Sequence, residues 1–336
     1  REENPFPGIC GRVCFHPCEE SCNRGSFDRA VSINALERFV ADYVMESRIP
    51  VSAFALEQKS GRKVRVAIIG SGPAGLSAAY FLARLGYAVE IFEIWHKAGG
   101  ILRYGIPSYR LPKEVLDWEI EAIMASGIKL HTGKGLGVDF NLKELQSKFG
   151  VVFIATGLTK GRKLNIPGEN SVKVLSGMDF LRTVSLGEKI NLGDRVAVVG
   201  GGDTAIDSAR TLLRLGVHPI IVYRRSRNEM PAFIEEIEEA EREGVEFCFL
   251  LSPSRVVYQR KKLVGLECQE MELSGLDSDG RRGVIGRQGS SFFIPVTGVV
   301  VAIGEVSEIK SQEFIGKTDK LTSLGSQPVS GNDSLR

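Results

Sequence analysis

Val64-Arg-Val-Ala-Ile-Ile-Gly70-Ser-Gly72-Pro-Ala-Gly75 is the stretch that decides the fold of this 336-residue chain. A short apolar run enters a turn that carries three closely spaced glycines. The apolar spacing of residues 76–85 then predicts a helix that ends at Gly86, and residues 89–93 have the composition of a second strand. These segments predict a β-α-β unit with a glycine-rich turn between its first strand and its helix.

The same pattern returns later in the chain as Arg195-Val-Ala-Val-Val-Gly200-Gly-Gly202-Asp-Thr-Ala205. A helical stretch follows as far as Gly216, and residues 219–223 form the next predicted strand. At one constant offset, Gly70, Gly72, Gly75 and Gly86 correspond to Gly200, Gly202, Ala205 and Gly216. This internal repeat predicts an α/β fold with two Rossmann-like dinucleotide-binding domains.

Glycine-rich turns of this kind bind the pyrophosphate of a dinucleotide. The first glycine permits the turn, the second lets the backbone approach the phosphates, and a small third residue lets the helix pack on the strand. The helix N-terminus offers unpaired N–H groups. A β-α-β turn without a ligand is the alternative, and it is disfavoured because the required context occurs twice. The predicted binding residues are Gly70, Gly72, Pro73, Ala74 and Gly75 in the first unit, and Gly201, Gly202, Asp203 and Thr204 in the second.

The ends of the two second strands differ in charge. The first strand ends in Glu93, whose carboxylate can accept hydrogen bonds from the hydroxyls of an adenosine ribose, so FAD or NAD suits it. The second ends in Tyr223, followed by Arg224, Arg225 and Arg227, whose guanidinium groups can bind a 2′-phosphate. A charge-assisted contact of this strength gives roughly a ten- to hundred-fold preference for NADPH over NADH. A solvated basic strand end is the alternative.

Two further glycine segments extend the first predicted site. Gly99 and Gly100 follow the acidic strand and allow a close approach of flavin phosphate or ribityl, with Leu102 just behind them. The segments 151–157 and 299–304 are strands that end in glycine, and we expect each to end the sheet of one dinucleotide domain beside its ligand. Gly100, Leu102, Thr156 and Gly157 complete the predicted FAD set.

Four of the six cysteines, Cys10, Cys14, Cys18 and Cys22, recur at C-x3-C spacing. Thiolates at such density favour an Fe–S cluster, with structural zinc or free thiols as alternatives. The prolines and glycines around them argue against a regular helix and favour a loop. Residues 33–43 are predicted to form a helix, with apolar side chains at helical spacing and Ser32 as its N-cap.

Composition excludes several classes of protein. The net charge of +2 gives no indication of nucleic-acid binding, and no apolar run reaches the roughly 18 residues that a membrane span needs. No redox cysteine pair is present, and the four histidines are scattered, so we predict no catalytic side chain. Without a secretion signal the expected location is the cytoplasm. Because the first residue is Arg1, we expect a fragment or a processed chain.

Several motifs resemble the small (beta) subunit family of bacterial NADPH-dependent glutamate synthase. The family's relatives include the N-terminal half of dihydropyrimidine dehydrogenase and the large subunit of NADH-dependent ferredoxin–NADP oxidoreductase. The matching segments are residues 4–14, 17–22, the first glycine motif, 105–112, 200–207, 223–227, 229–232, 271–273 and 280–282. The resemblance implies that hydride passes from NADPH to FAD, and that single electrons then leave through [4Fe–4S] clusters to a partner redox subunit. It also implies that cluster ligands come from among Cys10, Cys14, Cys18 and Cys22, the four predicted metal-binding residues.

The resemblance also implies a domain order. Residues 1–62 would form a Cys-rich helical Fe–S region and linker, 63–160 the first part of the FAD domain, 161–292 an inserted NADPH domain, and 293–336 a truncated return to the FAD domain. The family's upstream Cys group is absent, and its closing Gly-Asp lacks a counterpart, since Asp333 has no suitable context. A ferredoxin–NADP or pyrimidine reductase-type subunit, or a non-catalytic adaptor that has lost FAD, are the alternatives.

Overall fold

The computed structural model of the chain describes residues 3–47, 49–50, 64–277 and 280–307. These residues fold into two compact units. The first unit comprises the described residues up to Gly157 together with Met178–Ile190, and the second comprises Leu158–Gly177 and the described residues from Asn191 onward. Across the described ranges, no helix combines the length and the apolar character that a membrane crossing requires.

The first unit is built around a four-stranded parallel sheet with the strand order β3-β2-β1-β4. Its strands are β1 (Arg65–Ile69), β2 (Ala88–Glu93), β3 (Lys129–Thr132) and β4 (Val151–Ile154). Its helices are α1 (Pro7–Val13), α2 (Pro17–Glu20), α3 (Ile33–Glu46), α4 (Pro73–Arg84), α5 (Ile101–Tyr104), α6 (Lys113–Met124), α7 (Leu142–Lys148) and, from its second residue, α8 (Gly177–Ser185). The predicted strand–turn–helix–strand unit is confirmed as β1, α4 and β2.

The cysteine region belongs to the core of this first unit. Phe6 and Ile9 are buried in the same apolar cluster as Ile68 and Ile91 of the sheet. On α6, Glu119 is fully buried, and its Oε1 accepts a hydrogen bond of 2.7 Å from the backbone N–H of Gly8. A buried carboxylate that caps the first turn of α1 ties the cysteine region to the dinucleotide fold.

The prediction of an irregular loop over the cysteines is wrong for residues 7–13, which form α1, and for residues 17–20, which form the short helix α2. Pro7 stands at the first helical position, where its missing N–H costs nothing. Gly11 faces α3 so closely that an added Cβ would lie 2.6 Å from the backbone of Arg38. Helix packing therefore outweighs the low helix propensity of glycine here.

Helix α3 confirms the predicted helix, but its apolar positions are not covered by the described residues. Leu36, Phe39, Val40 and Tyr43 are all more than half exposed. The predicted N-cap, Ser32, makes no side-chain capping hydrogen bond. The helix instead packs on α1 through the side that carries Asn34 and Ala41, because Asn34 Nδ2 donates to the carbonyl of Cys10 at 2.7 Å.

The second unit repeats the pattern around a five-stranded parallel sheet with the order β6-β14-β7-β8-β9. Its strands are β5 (Lys160–Gly161), β6 (Val174–Ser176), β7 (Arg195–Val199), β8 (His218–Tyr223), β9 (Glu246–Phe249), β10 (Leu251–Gln259), β11 (Lys262–Leu276), β12 (Arg282–Gly286), β13 (Phe292–Ile294), β14 (Gly298–Val301) and β15 (Glu305–Val306). Its helices are α9 (Asp203–Arg214) and α10 (Ile234–Glu243). Strands β10 to β13 form a separate antiparallel sheet.

Residues 298–306 do not return to the first sheet, contrary to our prediction for the chain from residue 293 onward. Strand β14 pairs with β6 and β7 in the second sheet. Its residues are all buried, as an all-apolar strand in the interior of a parallel sheet requires. Asp333 lies outside the described residues, and so do residues 51–63, which are most of the linker expected over residues 46–63.

The packing of α1 on α3 gives a testable consequence. Replacing Gly11 by alanine places a Cβ against the backbone of α3, and overpacking of this kind costs about 1–3 kcal/mol of the free energy of unfolding. We expect a lower urea midpoint for Gly11→Ala.

The matched control is Gly25→Ala, whose added Cβ would come no closer than 3.8 Å to another atom. It should shift stability by less than about 0.5 kcal/mol. Equal midpoints for the two variants would contradict the close packing of α1 on α3.

Candidate nucleotide and cluster sites

The first glycine turn is closed by backbone contacts that leave no room for a side chain. Gly70 adopts a φ of 103°, and an added Cβ would lie 2.4 Å from the carbonyl oxygen of Ala155. A Cβ on Gly75 would lie 2.0 Å from the carbonyl oxygen of Gly70. Gly72 is the N-cap of α4 and makes no side-chain cap, so the first N–H groups of this helix are available to a phosphate.

The loop that contains Gly99 and Gly100 packs against this turn. Gly99 donates its N–H to the carbonyl of Ser71 at 3.0 Å. A Cβ on Gly100 would lie 2.7 Å from the backbone α-carbon of Gly72, so the two predicted site glycines are in contact. Leu102, which we predicted to belong to the FAD site, has its side chain buried in the apolar core.

Glu93 lies at the carboxyl end of β2 and is buried. Its Oε2 accepts the backbone N–H of Ser71 at 2.8 Å and also the hydroxyl of Ser71, while Oε1 accepts the N–H of Trp95 at 2.9 Å. Each carboxylate oxygen offers two lone pairs, so Oε1 can accept one further donor such as a ribose hydroxyl. Ser71 was missed by sequence analysis because the position between the first two glycines carries no pattern of its own.

The strand end at Thr156 and Gly157 borders open space. Ala155 donates its N–H to the carbonyl of Ile69 at 2.8 Å, which extends the pairing of β4 with β1 up to these two residues. Gly157 has a φ of 72°, and a Cβ placed on it would meet no atom within 4 Å. At the carboxyl edge of the first sheet, an added side chain at Gly157 would thus meet no neighbouring atom.

The second glycine turn reproduces the first with other residues. Gly200 has a φ of 143°, and an added Cβ would lie 2.1 Å from the carbonyl oxygen of Ala302. Gly202 is the N-cap of α9, again without a side-chain cap. Gly201 lies against the ring of Tyr223, where a Cβ would come within 2.6 Å. Asp203 accepts the N–H of Phe233 at 3.3 Å, so its carboxylate is turned toward the segment directly before α10.

The three predicted arginines at the end of β8 differ in their surroundings. Arg225 is buried and forms an ion pair with Asp277. Arg227 donates to both carboxylate oxygens of Glu241, at 2.9 and 3.0 Å, which raises the pKa of this arginine and lowers that of the glutamate. Arg224 is exposed and makes no ion pair with the described residues. Arg224 is therefore the guanidinium that can turn toward a phosphate without breaking an existing pair.

The four clustered cysteines differ in their surroundings, and Cys10 stands apart from Cys14, Cys18 and Cys22. Cys10 is half-buried, its Sγ donates to Asn4 Oδ1 at 3.7 Å, and burial raises the pKa of its thiol. Cys14 and Cys18 are exposed. Cys22 Sγ accepts the N–H of Val31 at 3.4 Å, and backbone N–H groups lower the pKa of its thiol.

The cysteine thiols supply the right donors for an iron–sulfur cluster, but their arrangement is incomplete. Within the described ranges, no three histidine, cysteine, aspartate or glutamate residues lie close enough together to hold a metal ion. Cluster binding by all four cysteines therefore stays a prediction.

Comparison with known proteins identifies the family. Residues 64–321 match the model of pyridine nucleotide-disulphide oxidoreductases. The chain belongs to this family. Residues 1–49 match a second model, dihydropyrimidine dehydrogenase domain II, 4Fe-4S cluster. The two matches confirm the prediction of a pyridine nucleotide-linked oxidoreductase domain preceded by a 4Fe–4S domain.

Relatives confirm the resemblance to the glutamate synthase small chain. The chain is 33% identical to the glutamate synthase [NADPH] small chain of Azospirillum brasilense, over 96% of this chain and 69% of that protein. It is 41% identical to the NADP(+)-dependent formate dehydrogenase subunit beta of Moorella thermoacetica, over 98% of this chain and 50% of that protein. The chain thus spans about half the length of the first curated relatives it matches, which are subunits of larger enzymes.

A solved structure supports the fold alone. FprA of Mycobacterium tuberculosis in complex with NADPH superposes with a TM-score of 0.64 at 20% identity, covering 73% of this chain and 71% of that one. The two-unit α/β architecture predicted from the glycine repeat is thereby confirmed.

Because Arg224 is exposed and Arg225 is buried in an ion pair, we predict different effects when each is replaced by alanine. Arg224→Ala should weaken NADP⁺ binding by about ten-fold or more and leave NAD⁺ nearly unchanged, because only the 2′-phosphate contact is lost. Arg225→Ala should instead lower the unfolding midpoint, because it breaks a buried ion pair, and should affect both nucleotides alike. Titration calorimetry with both nucleotides checks this, and equal losses for Arg224→Ala would exclude its 2′-phosphate role.

The cysteine surroundings give a second prediction. Cys22→Ser should remove most of the iron from protein purified without oxygen, because it replaces a predicted ligand thiol that the backbone N–H of Val31 holds in place. Cys10→Ser should retain iron, because that thiol is half-buried against Asn4. Iron and sulfide counting measures both, and the opposite order would contradict the grouping.

Proposed function

We propose that this chain is the electron-input part of a multisubunit oxidoreductase, in which the first unit binds FAD and the second binds NADPH. The observation that carries the proposal is the charge at the ends of two otherwise equivalent strands. β2 ends in the buried carboxylate of Glu93, and β8 is followed by the exposed guanidinium of Arg224. A 2′-phosphate would be repelled by the former and attracted by the latter.

The residues of the first unit fit a flavin nucleotide. The N–H groups of Ala74 and Gly75, in the first turn of α4, can donate to the pyrophosphate. Because Gly70, Gly72 and Gly100 have no side chains, the pyrophosphate can approach the backbone closely. Glu93 is held in place by Ser71 and Trp95 and orients the adenosine ribose. Thr156 and Gly157 border the open edge where the flavin would lie.

The residues of the second unit fit NADPH in the same way. The backbone of Gly201 and Gly202 lies at the N-terminus of α9, and Asp203 and Thr204 are in the first turn of this helix. Arg224 binds the 2′-phosphate, while Arg225 holds the β11–β12 hairpin through Asp277. FAD bound in the first unit would supply the redox chemistry, because a flavin can accept two electrons as hydride and donate them one at a time. The chain's own residues supply orientation and charge, and none of them needs to act as acid or base.

The cysteine region completes the proposal. We infer Cys14, Cys18 and Cys22 as cluster ligands; no three such side chains lie close enough together in the described residues, so the three thiols would have to come together when the cluster binds. Glu119 fixes α1, which precedes them, to the flavin unit. Since the relatives are named as beta subunits or small chains, we infer a partner redox subunit that receives the electrons and performs the final chemistry.

The test is anaerobic titration of the purified protein, followed by its visible spectrum. We expect flavin bands that bleach at about ten-fold lower concentrations of NADPH than of NADH. Glu93→Gln should reduce bound flavin by about ten-fold or more, because charge-assisted hydrogen bonds to the carboxylate are lost.

Glu90→Gln is the matched control, since Glu90 lies on the same strand but pairs with Arg65 and His131. Its flavin content should equal that of the unmodified protein. A folded protein that binds no flavin, or one reduced equally well by both nucleotides, would refute the proposed function.

A further inference from the structure

Glu305 lies near the carboxyl edge of the second sheet, on the side of the glycine turn away from Arg224. In the strand order, β14 borders β7 on one side and β8 borders it on the other. Glu305 follows the end of β14 after a short connection, whereas Arg224 directly follows β8. The glycine turn after β7 therefore separates the acidic position from the basic one.

The backbone of Glu305 is fixed by two sets of hydrogen bonds. It pairs with Gly161 in the antiparallel ladder of β15 and β5. The preceding carbonyl, that of Gly304, accepts the N–H of Arg162 at 2.9 Å. The position of this side chain relative to the sheet edge is therefore set by main-chain hydrogen bonds.

The carboxyl group of Glu305 is directed at the first turn of α9. Thr204 Oγ1 donates to its Oε1 across 3.4 Å, a long hydrogen bond. Burial raises the pKa of this carboxyl group, against the lowering effects of the Thr204 hydrogen bond and the charge of Arg162. A half-buried carboxyl group has four lone pairs, and Thr204 uses one of them, so acceptor capacity remains beside the helix mouth.

The direction of a bound dinucleotide follows from the two ends of this edge. In a Rossmann-like sheet the pyrophosphate lies at the glycine turn, and the two nucleoside halves extend over the strands on either side. If Arg224 binds the 2′-phosphate beyond β8, the nicotinamide half must extend over β7 toward β14. That direction leads to Glu305.

We propose that Glu305 accepts a hydrogen bond from the carboxamide N–H₂ of the nicotinamide, and so helps to select and orient this ring. The inference rests on the proposed NADPH site of the second unit. The carboxamide offers two N–H donors, and a carboxyl group accepts through its carbonyl oxygen in either protonation state. Glu305 is thus a specificity-determining residue for the nicotinamide end, as Arg224 is for the adenosine end.

The experiment compares three nucleotides by titration calorimetry on the full chain. These are NADP⁺, 2′,5′-ADP, which lacks the nicotinamide half, and the 3-acetylpyridine analogue of NADP⁺, which lacks the amide N–H₂. Glu305→Ala should weaken NADP⁺ by about ten-fold and leave 2′,5′-ADP unchanged. It should also leave the acetylpyridine analogue nearly unchanged, because the contact is already missing there. Glu305→Gln retains an acceptor oxygen and should recover part of the affinity.

The control is Glu246→Ala, at the amino-terminal edge of the same sheet, where β9 begins. It should leave all three affinities unchanged. If 2′,5′-ADP fails to bind the unmodified protein, the proposed NADPH site itself is wrong. If it binds, but Glu305→Ala leaves NADP⁺ unchanged or weakens NADP⁺ and the acetylpyridine analogue equally, the carboxamide contact is overturned.

Discussion

Both nucleotide sites depend on one close backbone approach, in which the chain leaving a neighbouring strand passes directly against a glycine of the turn. At Gly70 the approaching atom is the carbonyl oxygen of Ala155, and at Gly200 it is that of Ala302. No side chain fits at either glycine, and both have a positive φ that other residues rarely adopt. This approach brings the turn, the helix N-terminus and the neighbouring strand end together, so any nucleotide bound there meets all three.

Charge then distinguishes two sites of equal backbone geometry. Glu93 keeps its carboxylate buried because Ser71 and Trp95 supply donors from within the same motif. At the corresponding end of β8, one arginine is used to hold a hairpin and its neighbour is left exposed. Since fold alone does not determine function, the proposed assignment of a different nucleotide to each unit rests on these strand ends.

The sequence predicted what depends on local pattern. The two β-α-β units could be read from glycine spacing and apolar runs, because turn, helix and strand lie within one short segment. Helix α1 could not, because the packing that stabilises it comes from Arg38 on another helix. The pairing of Arg225 with Asp277 joins residues far apart in sequence, and the placement of β14 depends on which strand it reaches. Non-local interactions of this kind leave no periodic signal.

The cysteine region is part of the first unit rather than an appendage. Phe6 and Ile9 enter its core, and Glu119 caps α1 from within the dinucleotide fold. The cysteines beyond α1 therefore begin from a fixed point in the first unit. This arrangement is consistent with the proposed role, in which electrons pass from the first unit through the cysteine region to a partner.

If the proposed function is right, one chain holds two different dinucleotides at the same time in two independent sites. Native mass spectrometry of the purified protein with added FAD and NADP⁺ measures this directly. We expect a species that carries one molecule of each nucleotide, with flavin retained as the concentration of NADP⁺ is raised. A species that exchanges one nucleotide for the other, and never carries both, would contradict it.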